Sequence, residues 1–402
     1  MKRPRNLAGK SKQFPTDFVV EEIPLYEPCG DGEHLYITVQ KTNMSHDECL
    51  HQISECFNVS KRDIGYAGRK DFRAVTTQMF SICLRGKKPE VPTSIGTIKV
   101  LASSYHENKL RLGHLTGNKF KIRLRDVEVS EFSLIQKRLT ALCELGLPNF
   151  FGPQRFGNNE NNHSLGMAIV KEDWDCLITI LLEGKERHHA LAREGEFKRA
   201  LDAWPFGQPT ERNVLESLVA NKSPQKACKT ISRQLQKLWV NALQSYLFNE
   251  LLQTRLTDGS WNTLLLGDLA WMHNGGGRTF KVIEKEVHSK DLLQRIEAFS
   301  LSPSGPLWGS KMRLPAGAVL EKELIVRDSA GLNDEYLEKM RRIASGARRP
   351  LRVEVCEPKI TLGNDEFGDF VQLQFALPAG SYATVVSNYC LSPSSWFEKV
   401  AE

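Results

Sequence analysis

The chain has 402 residues, a formal net charge of +6 and nine cysteines. This length predicts two domains, or three, with ample chain for a large core. The pI near 8.7 is compatible with an anionic partner, but it is below the value of roughly 9 that is typical of a dedicated nucleic-acid-binding domain. A nucleic-acid surface would therefore depend on local clustering of basic residues.

Cysteine and histidine spacing argues against a disulfide framework and a metal site. The cysteines are scattered, odd in number and never spaced as C-x-x-C, which favours a reducing compartment. The adjacent His188 and His189 lie in a charged segment, where we expect solvation rather than metal binding. No apolar run approaches the roughly 18 residues of a membrane span, and no signal-peptide pattern is present. These features predict a soluble, cytoplasmic protein.

The first twelve residues form a basic segment that precedes a Phe-Pro pair. Its cations are Lys2, Arg3, Arg5, Lys10 and Lys12. A solvated tail explains this composition, and so does a basic arm that contacts phosphates. A strand is predicted to follow at residues 17–22.

A second strand and a helix come next in the chain. The alternation of Leu35, Ile37 and Val39 predicts a strand at residues 34–40. Ser45 and Glu48 form a capping box that begins a helix. This helix leads the chain into a loop that contains Asp71.

Asp71 is the one carboxylate in a cationic loop, with Arg69, Lys70 and Arg73 beside it. A predicted strand that carries Phe80 follows the loop. Neighbouring cations favour an ionised carboxylate, which could act as a nucleophile or a base. Ordinary surface ion pairs, each worth roughly 0–1 kcal/mol, explain the same pattern. From this motif alone, the structural explanation is the stronger one.

Residues 106–125 combine positive charge with an aromatic residue at the start of a strand. Lys109 and Arg111 precede Asn118 and Phe120, and apolar and basic residues then alternate with period 2. An aromatic ring beside a basic strand face could stack on an unpaired base. Core packing is the simpler explanation of Phe120 on sequence grounds.

The middle of the chain differs in character from both ends. A helix is predicted at residues 132–145, with Gly146 as its stop signal, and a loop with Gln154 and Arg155 follows it. From there to about residue 342 the chain is more helical and more charged, and strands are then predicted at residues 351–355 and 371–377. Strand-rich ends around a helical middle predict one α+β domain with an insertion.

One motif in the Asp71 loop is specific. Gly68-Arg-Lys-Asp71, followed by Ala74, Thr76 and Gln78, resembles the Gly-x-Lys-Asp-x-x-Ala-x-Thr-x-Gln element of the TruD family of tRNA pseudouridine synthases. Five further blocks stand in that family's order: Asp17-Phe-x-Val-x-Glu22 with the upstream Lys12, Gly32-Glu-His34, Lys109-Leu-Arg-Leu-Gly113 with Gly117-Asn-x-Phe120, Asn149-Phe-Phe-Gly-x-Gln-Arg-Phe-Gly157, and Leu377-Pro-Ala-Gly-Ser-Tyr-Ala-Thr384. Each block is weak alone, whereas six in order make a strong resemblance over nearly the whole chain.

The resemblance implies a fold and a domain organisation. The expected fold is α+β: a pseudouridine synthase catalytic domain with a mixed, largely antiparallel sheet and flanking helices, interrupted by a TRUD-type α/β insertion domain. The expected boundaries are residues 1–148 and 347–402 for the catalytic domain, and 149–346 for the insertion.

The resemblance also implies site residues. Asp71 corresponds to the essential aspartate, Phe120 to the aromatic residue that stacks on the target uracil, and Asn118 to a polar neighbour in the same pocket. Lys12 falls where the family has a basic residue near the aspartate. The candidates for RNA contact are Arg69, Lys70, Arg73, Lys109, Arg111 and Arg155.

The implied activity is isomerisation of a uridine in tRNA, uridine 13 by family resemblance, to pseudouridine. No atom is gained or lost and no redox change occurs, so we expect neither a cofactor nor a metal. The expected partner is tRNA, bound by a monomer without a protein partner. Two alternatives stay open: a non-catalytic RNA-binding protein, and a glycosidase-like hydrolase, although such enzymes usually use two carboxylates.

Overall fold

The computed structural model describes residues 6–392. The first part of the chain is rich in strands. Its elements are β1 (Phe18–Pro24), β2 (His34–Thr42), α1 (His46–Cys56), β3 (Ile64–Tyr66), β4 (Val75–Cys83), β5 (Ser94–Ile95), β6 (Ile98–His106), β7 (Leu115–Arg125), α2 (Phe132–Leu145) and β8 (Leu147–Pro148).

The middle part is mainly helical. Its elements are α3 (Asn162–Lys171), α4 (Trp174–Leu181), α5 (Arg187–Arg193), α6 (Phe197–Ala203), α7 (Pro209–Val219), α8 (Pro224–Cys228), α9 (Arg233–Thr257), β9 (Leu269–Met272), β10 (Thr279–Lys281), α10 (Glu284–Val287), α11 (Lys290–Glu297), β11 (Leu301–Leu307), α12 (Gly317–Ser329), α13 (Asp334–Met340) and β12 (Ala347–Pro350). The last elements are β13 (Arg352–Val353), β14 (Cys356–Asp365), β15 (Gly368–Pro378) and α14 (Ala383–Leu391).

The chain divides into two compact units. The first combines Met1–Leu147 with Val353–Glu402, and the second is Pro148–Arg352. The second unit extends past residue 346 because β12 pairs with β11 inside it, with Ser304 opposite Pro350. The assignment of separate functional domains at residues 149–346 stays a prediction.

A mixed sheet forms the framework of the first unit. Its strand order is β14-β15-β7-β1-β4-β2-β6-β5, and β3 also pairs with β4. The central strands β1 and β4 run parallel, with Val20 opposite Thr76, whereas the neighbouring pairs are antiparallel. The expected α+β fold with a largely antiparallel sheet is confirmed.

Helices cover one face of this sheet at each end. The hydroxyl of Ser45 accepts a hydrogen bond from Glu48 N at 3.0 Å and caps α1, as the capping box predicts. Cys49 and Ile53 of α1 are fully buried in a core with residues of β2 and β4. At the other end of the sheet α2 packs against α14, and Arg138 donates to the carbonyl of Cys390 at 2.9 Å.

The second unit combines a four-stranded sheet, in the order β10-β9-β11-β12, with a helical core. The long helix α9 contributes Trp239, Leu243 and Leu247 to this core. The expectation of a solvated His188 is wrong, because its ring packs edge-on against Trp204 with centroids 4.6 Å apart. Its side chain is therefore buried.

The strand predicted at residues 351–355 is also wrong. Leu351, Val353 and Val355 are all buried, so their alternation reports burial correctly. However, the amide of Leu351 donates to the carbonyl of Pro303, and its carbonyl accepts from the amide of Asn149. The backbone changes partners at this point, and the segment contains only the two-residue strand β13, between the end of β12 and the start of β14.

Candidate active site

The loop that carries Asp71 is anchored at both of its ends. Gln78 of β4 donates to the carbonyl of Gly68 at 3.2 Å, and the amide of Gly113 donates to the carbonyl of Ala67 at 2.8 Å. At the far end, the amide of Asn43 donates to the carbonyl of Ala74 at 3.1 Å. The loop is thus fixed to β4 and to the ends of two other strands.

Asp71 is held by two lysines and remains accessible. Lys12 Nζ lies 3.1 Å from Asp71 Oδ1, and the Asp71 side chain is 40% exposed. Lys41 Nζ donates to the main-chain carbonyl of Asp71 at 3.0 Å. One ammonium group therefore binds the carboxylate and another binds the backbone of the same residue.

The described part of the basic N-terminal segment is packed against the sheet. Lys10 and Arg125 exchange two backbone hydrogen bonds of 2.8 Å, which places Lys12 next to β1. Lys12 has a φ of 61°, a left-handed conformation that is uncommon outside glycine, and its ammonium lies 3.7 Å from the centroid of the Phe18 ring. Lys2, Arg3 and Arg5 lie outside the described residues.

Lys41 contacts the Asp71 loop, and its involvement was not predicted from the sequence. It is fully buried on β2, opposite Thr76 of β4. It continues the period-2 row of Leu35, Ile37 and Val39, so the strand pattern already indicated a lysine on a buried face. Burial lowers the pKa of Lys41 below its usual value, against opposing contributions from Cys49 and Asp71.

The Lys70 side chain is buried, contrary to its prediction as an RNA-contact residue. Its ammonium lies 2.6 Å from Glu22 Oε2, and the two side chains are only 6% and 3% exposed. A group enclosed in this way has no surface to offer to a phosphate. The long-range contact between β1 and the loop makes Lys70 a structural ion-pair partner rather than a candidate for RNA contact.

Phe120 and Asn118 share one face of the sheet. Phe120 is opposite Val20 of β1, and Asn118 is opposite Glu22. Phe120 is 6% exposed and packs between Phe18 and Phe375, with ring centroids 6.1 and 5.5 Å away. The Phe18 ring also contacts the ammonium of Lys12. Phe18 therefore lies between Phe120 and the lysine that binds Asp71.

Buried polar atoms without hydrogen-bond partners occur on β7 and on β4. Among residues 6–392 they include Asn118 Oδ1, Gln78 Oε1 and Thr76 Oγ1. Buried acceptors normally have partners. The carboxamide oxygen of Asn118 is therefore a buried acceptor whose hydrogen-bonding capacity is unused within residues 6–392.

Comparison with known proteins gives the family. The family model described as tRNA pseudouridine synthase D (TruD) matches residues 3–388. The chain belongs to the TruD family. A tRNA pseudouridine synthase D from Geobacter metallireducens is 36% identical over 391 residues, which cover 94% of this chain and 93% of that one. The corresponding protein from Geobacter sulfurreducens is 36% identical over 390 residues, with coverages of 94% and 92%.

A solved structure agrees with the TruD assignment. The crystal structure assigned to tRNA pseudouridine synthase D from Methanosarcina mazei matches with a TM-score of 0.78 and 28% identity, over 96% of this chain and 94% of that chain. The sequence resemblance to the TruD family is confirmed. The chain is accordingly an enzyme of the isomerase class, a tRNA pseudouridine synthase.

The remaining basic candidates of this TruD-family chain differ in their surroundings. Arg69 pairs with the exposed Asp47 at 2.5 Å, and Lys109 donates to the carbonyl of Arg62. Arg73 and Arg111 are exposed. In the second unit, Arg155 donates to Ser245 Oγ at 2.9 Å. Arg69, Arg73 and Arg111 thus have the accessible guanidinium groups of this set.

Two further findings concern the TruD-family chain between residues 6 and 392. No group of three or more histidine, cysteine, aspartate or glutamate side chains in this range could hold a metal ion. No helix in this range is long and apolar enough to cross a membrane.

Proposed function

We propose that this enzyme isomerises a uridine of tRNA, uridine 13, to pseudouridine, with Asp71 as its catalytic carboxylate. The observation that carries this proposal is the accessible carboxylate of Asp71, bound by Lys12 while Lys41 binds its backbone. An enzyme that acts on a flipped-out nucleotide needs a reactive group that is open to the substrate and fixed in position.

The reaction breaks the N1–C1′ bond, turns the uracil and joins C5 to C1′. The proton lost from C5 is balanced by the proton gained at N1, so the product is an isomer. Asp71 either attacks C1′ or removes the proton of C2′, and both routes use an ionised carboxylate. The charge-assisted hydrogen bond from Lys12 orients that carboxylate.

The uracil would bind on the sheet face that carries Phe120 and Asn118. Extrusion of a stacked base costs a few kcal/mol, and stacking on an aromatic ring returns roughly 1–3 kcal/mol. Because only 6% of Phe120 is exposed, contact with the uracil requires a small opening of this cluster. Asn118 Oδ1 would accept a hydrogen bond from N3–H of the uracil.

The tRNA partner would be held through its phosphates. Arg69, Arg73 and Arg111 have exposed side chains that could contact phosphates. We propose the same role for Lys109 and Arg155. Cationic side chains of this kind bind nucleic acid in a salt-dependent manner. We also propose that the enzyme acts in the cytoplasm as a monomer, without a protein partner.

A glycosidase-like hydrolase is disfavoured by the carboxylates around Asp71. Such an enzyme usually needs a second acid that reaches the glycosidic bond. Glu22, which contacts the loop, is buried and paired with Lys70, and Asp47 is paired with Arg69. Within residues 6–392, the carboxylate of Asp71 contacts Lys12 and not a second carboxylate.

Mapping of pseudouridine in tRNA tests the proposal. Wild-type protein should form pseudouridine at position 13, and Asp71→Asn should bind the same tRNA without product. Asp202→Asn removes an exposed acid paired with Lys198 in the second unit and should behave like wild type. A wild-type rate for Asp71→Asn would disprove the assigned role. Wild-type protein that binds tRNA without product would favour the non-catalytic alternative.

A further inference from the structure

Lys41 is an unusual lysine because its side chain has no exposed surface. Fully buried lysines are rare unless a charged partner compensates them. Among residues 6–392, Lys41 forms no ion pair with a carboxylate. Its ammonium instead donates to two backbone carbonyls, that of Met44 at 2.7 Å and that of Asp71 at 3.0 Å.

These two carbonyls belong to segments that need to be held together. Met44 lies in the connection between β2 and α1, directly before the helix cap Ser45. Asp71 lies in the loop that precedes β4. Lys41 thus links the Asp71 loop to the residue directly before the cap of α1.

The loop has few other restraints at its centre. Gly68 and Ala74 are bound at its two ends, whereas the contacts of Asp71 itself within residues 6–392 are those with Lys12 and Lys41. The Lys12 side chain is 22% exposed, whereas Lys41, which donates to the Asp71 backbone through a part-buried hydrogen bond, has no exposed surface itself. A charge-assisted hydrogen bond from a buried donor is less open to competition by water.

We propose that Lys41 is a positioning residue for the isomerisation: its buried ammonium fixes the backbone of Asp71 so that the carboxylate stays at the sugar of the bound uridine. This inference rests on the proposed catalytic role of Asp71. A displacement of about 1 Å in a reacting group can reduce a rate by about 100-fold. Loss of the Lys41 contact should therefore lower kcat rather than weaken tRNA binding.

The test compares Lys41→Met with Lys41→Arg and wild type. Methionine has a similar length and no donors, so kcat should fall about 10–100-fold while KM for tRNA stays within about twofold. Arginine retains charge and donors, so it should restore part of kcat. Lys198→Met changes an exposed lysine of α6 that pairs with Asp202 in the second unit and should leave both constants unchanged.

Hydrogen–deuterium exchange gives a readout that does not require substrate. In Lys41→Met the amides of residues 71–74 should exchange at least about tenfold faster, while those of α1 change less. If Lys41→Met does not fold, Lys41→Gln, which retains a donor of shorter reach, should show the same changes at smaller size.

Three outcomes are distinguishable. A folded Lys41→Met or Lys41→Gln with wild-type kcat overturns the inference and leaves the role of Asp71 standing. A lower melting temperature with an unchanged kcat for the folded fraction also overturns it, because Lys41 would then only stabilise the fold. Absence of pseudouridine with wild-type protein instead contradicts the proposed function.

Discussion

Two clusters in the first unit pair aspartates with basic side chains, and they differ in how exposed the aspartates are. In one, Arg125 binds Asp17 and Asp365 with distances of 2.7–2.9 Å, and the arginine side chain is 3% exposed. Hydrogen bonds from Arg125 lower the pKa of Asp365 to about 2. Both aspartates of this cluster accept hydrogen bonds from Arg125.

In the other cluster, Asp71 keeps 40% of its side chain exposed. Its carboxylate is bound by Lys12, and its backbone is bound by Lys41. In the first cluster, the ion pairs hold β7 to the segments that contain Asp17 and Asp365. In the second cluster, one carboxylate remains accessible. Asp17 is fully buried and Asp365 is 21% exposed, so Asp71 is the most accessible acid of the two clusters.

The largest effect should follow from breaking the structural cluster. Arg125→Met leaves the buried Asp17 without its partner, and loss of one member of a buried ion pair typically costs about 3–5 kcal/mol. Urea unfolding should show this loss, with little change in the turnover of the folded protein. Arg123→Met, which removes a partner of Asp365 that is 28% exposed, should cost much less. Equal losses would contradict the distinction by burial.

A smaller effect is expected at the accessible site. Lys12→Met removes the donor that orients Asp71, so kcat should fall about 10–100-fold while the free energy of unfolding changes by less than about 1 kcal/mol. Steady-state kinetics and urea unfolding measure the two quantities. Lys10→Met removes an exposed partner of Asp126 and serves as the control. A large loss of stability with an unchanged kcat would place Lys12 with the structural cluster.

Local sequence signals predicted the elements that depend on neighbouring residues. The cap at Ser45 and the stop at Gly146 correctly marked the start of α1 and the end of α2. The six motifs correctly indicated the family. The contact between Lys12 and Asp71 agrees with the placement that the resemblance implied.

Contacts between distant segments were beyond the sequence analysis. Lys70 and Glu22 are far apart in the chain, so nothing local showed that Lys70 would be buried. Lys41 continued an apolar row on β2, but its partners Met44 and Asp71 come from two other segments. The break at Leu351 likewise depends on Pro303 and Asn149. Periodicity in the sequence indicates which side chains are buried, whereas the partners of their ion pairs and hydrogen bonds are set by the tertiary structure.

The smallest effect concerns RNA binding. Arg73→Ala removes an exposed guanidinium beside the loop, so affinity for tRNA should fall a few-fold and the salt dependence should weaken by about one unit of slope. Lys70→Met should instead lower stability, because Glu22 would lose its buried partner. Binding measured over a range of salt concentrations, together with urea unfolding, separates the two. A reduced salt slope for Lys70→Met with unchanged stability would instead assign Lys70 to RNA contact.

The most direct test of the central claim is single-turnover pseudouridine formation by Asp71→Asn and Asp365→Asn, with enzyme in excess over tRNA. Asp71→Asn should bind tRNA, unfold near the wild-type urea midpoint and form product at least about 1000-fold more slowly. Asp365→Asn should lose stability and retain the chemical rate of its folded fraction. Wild-type product formation by Asp71→Asn would contradict the account.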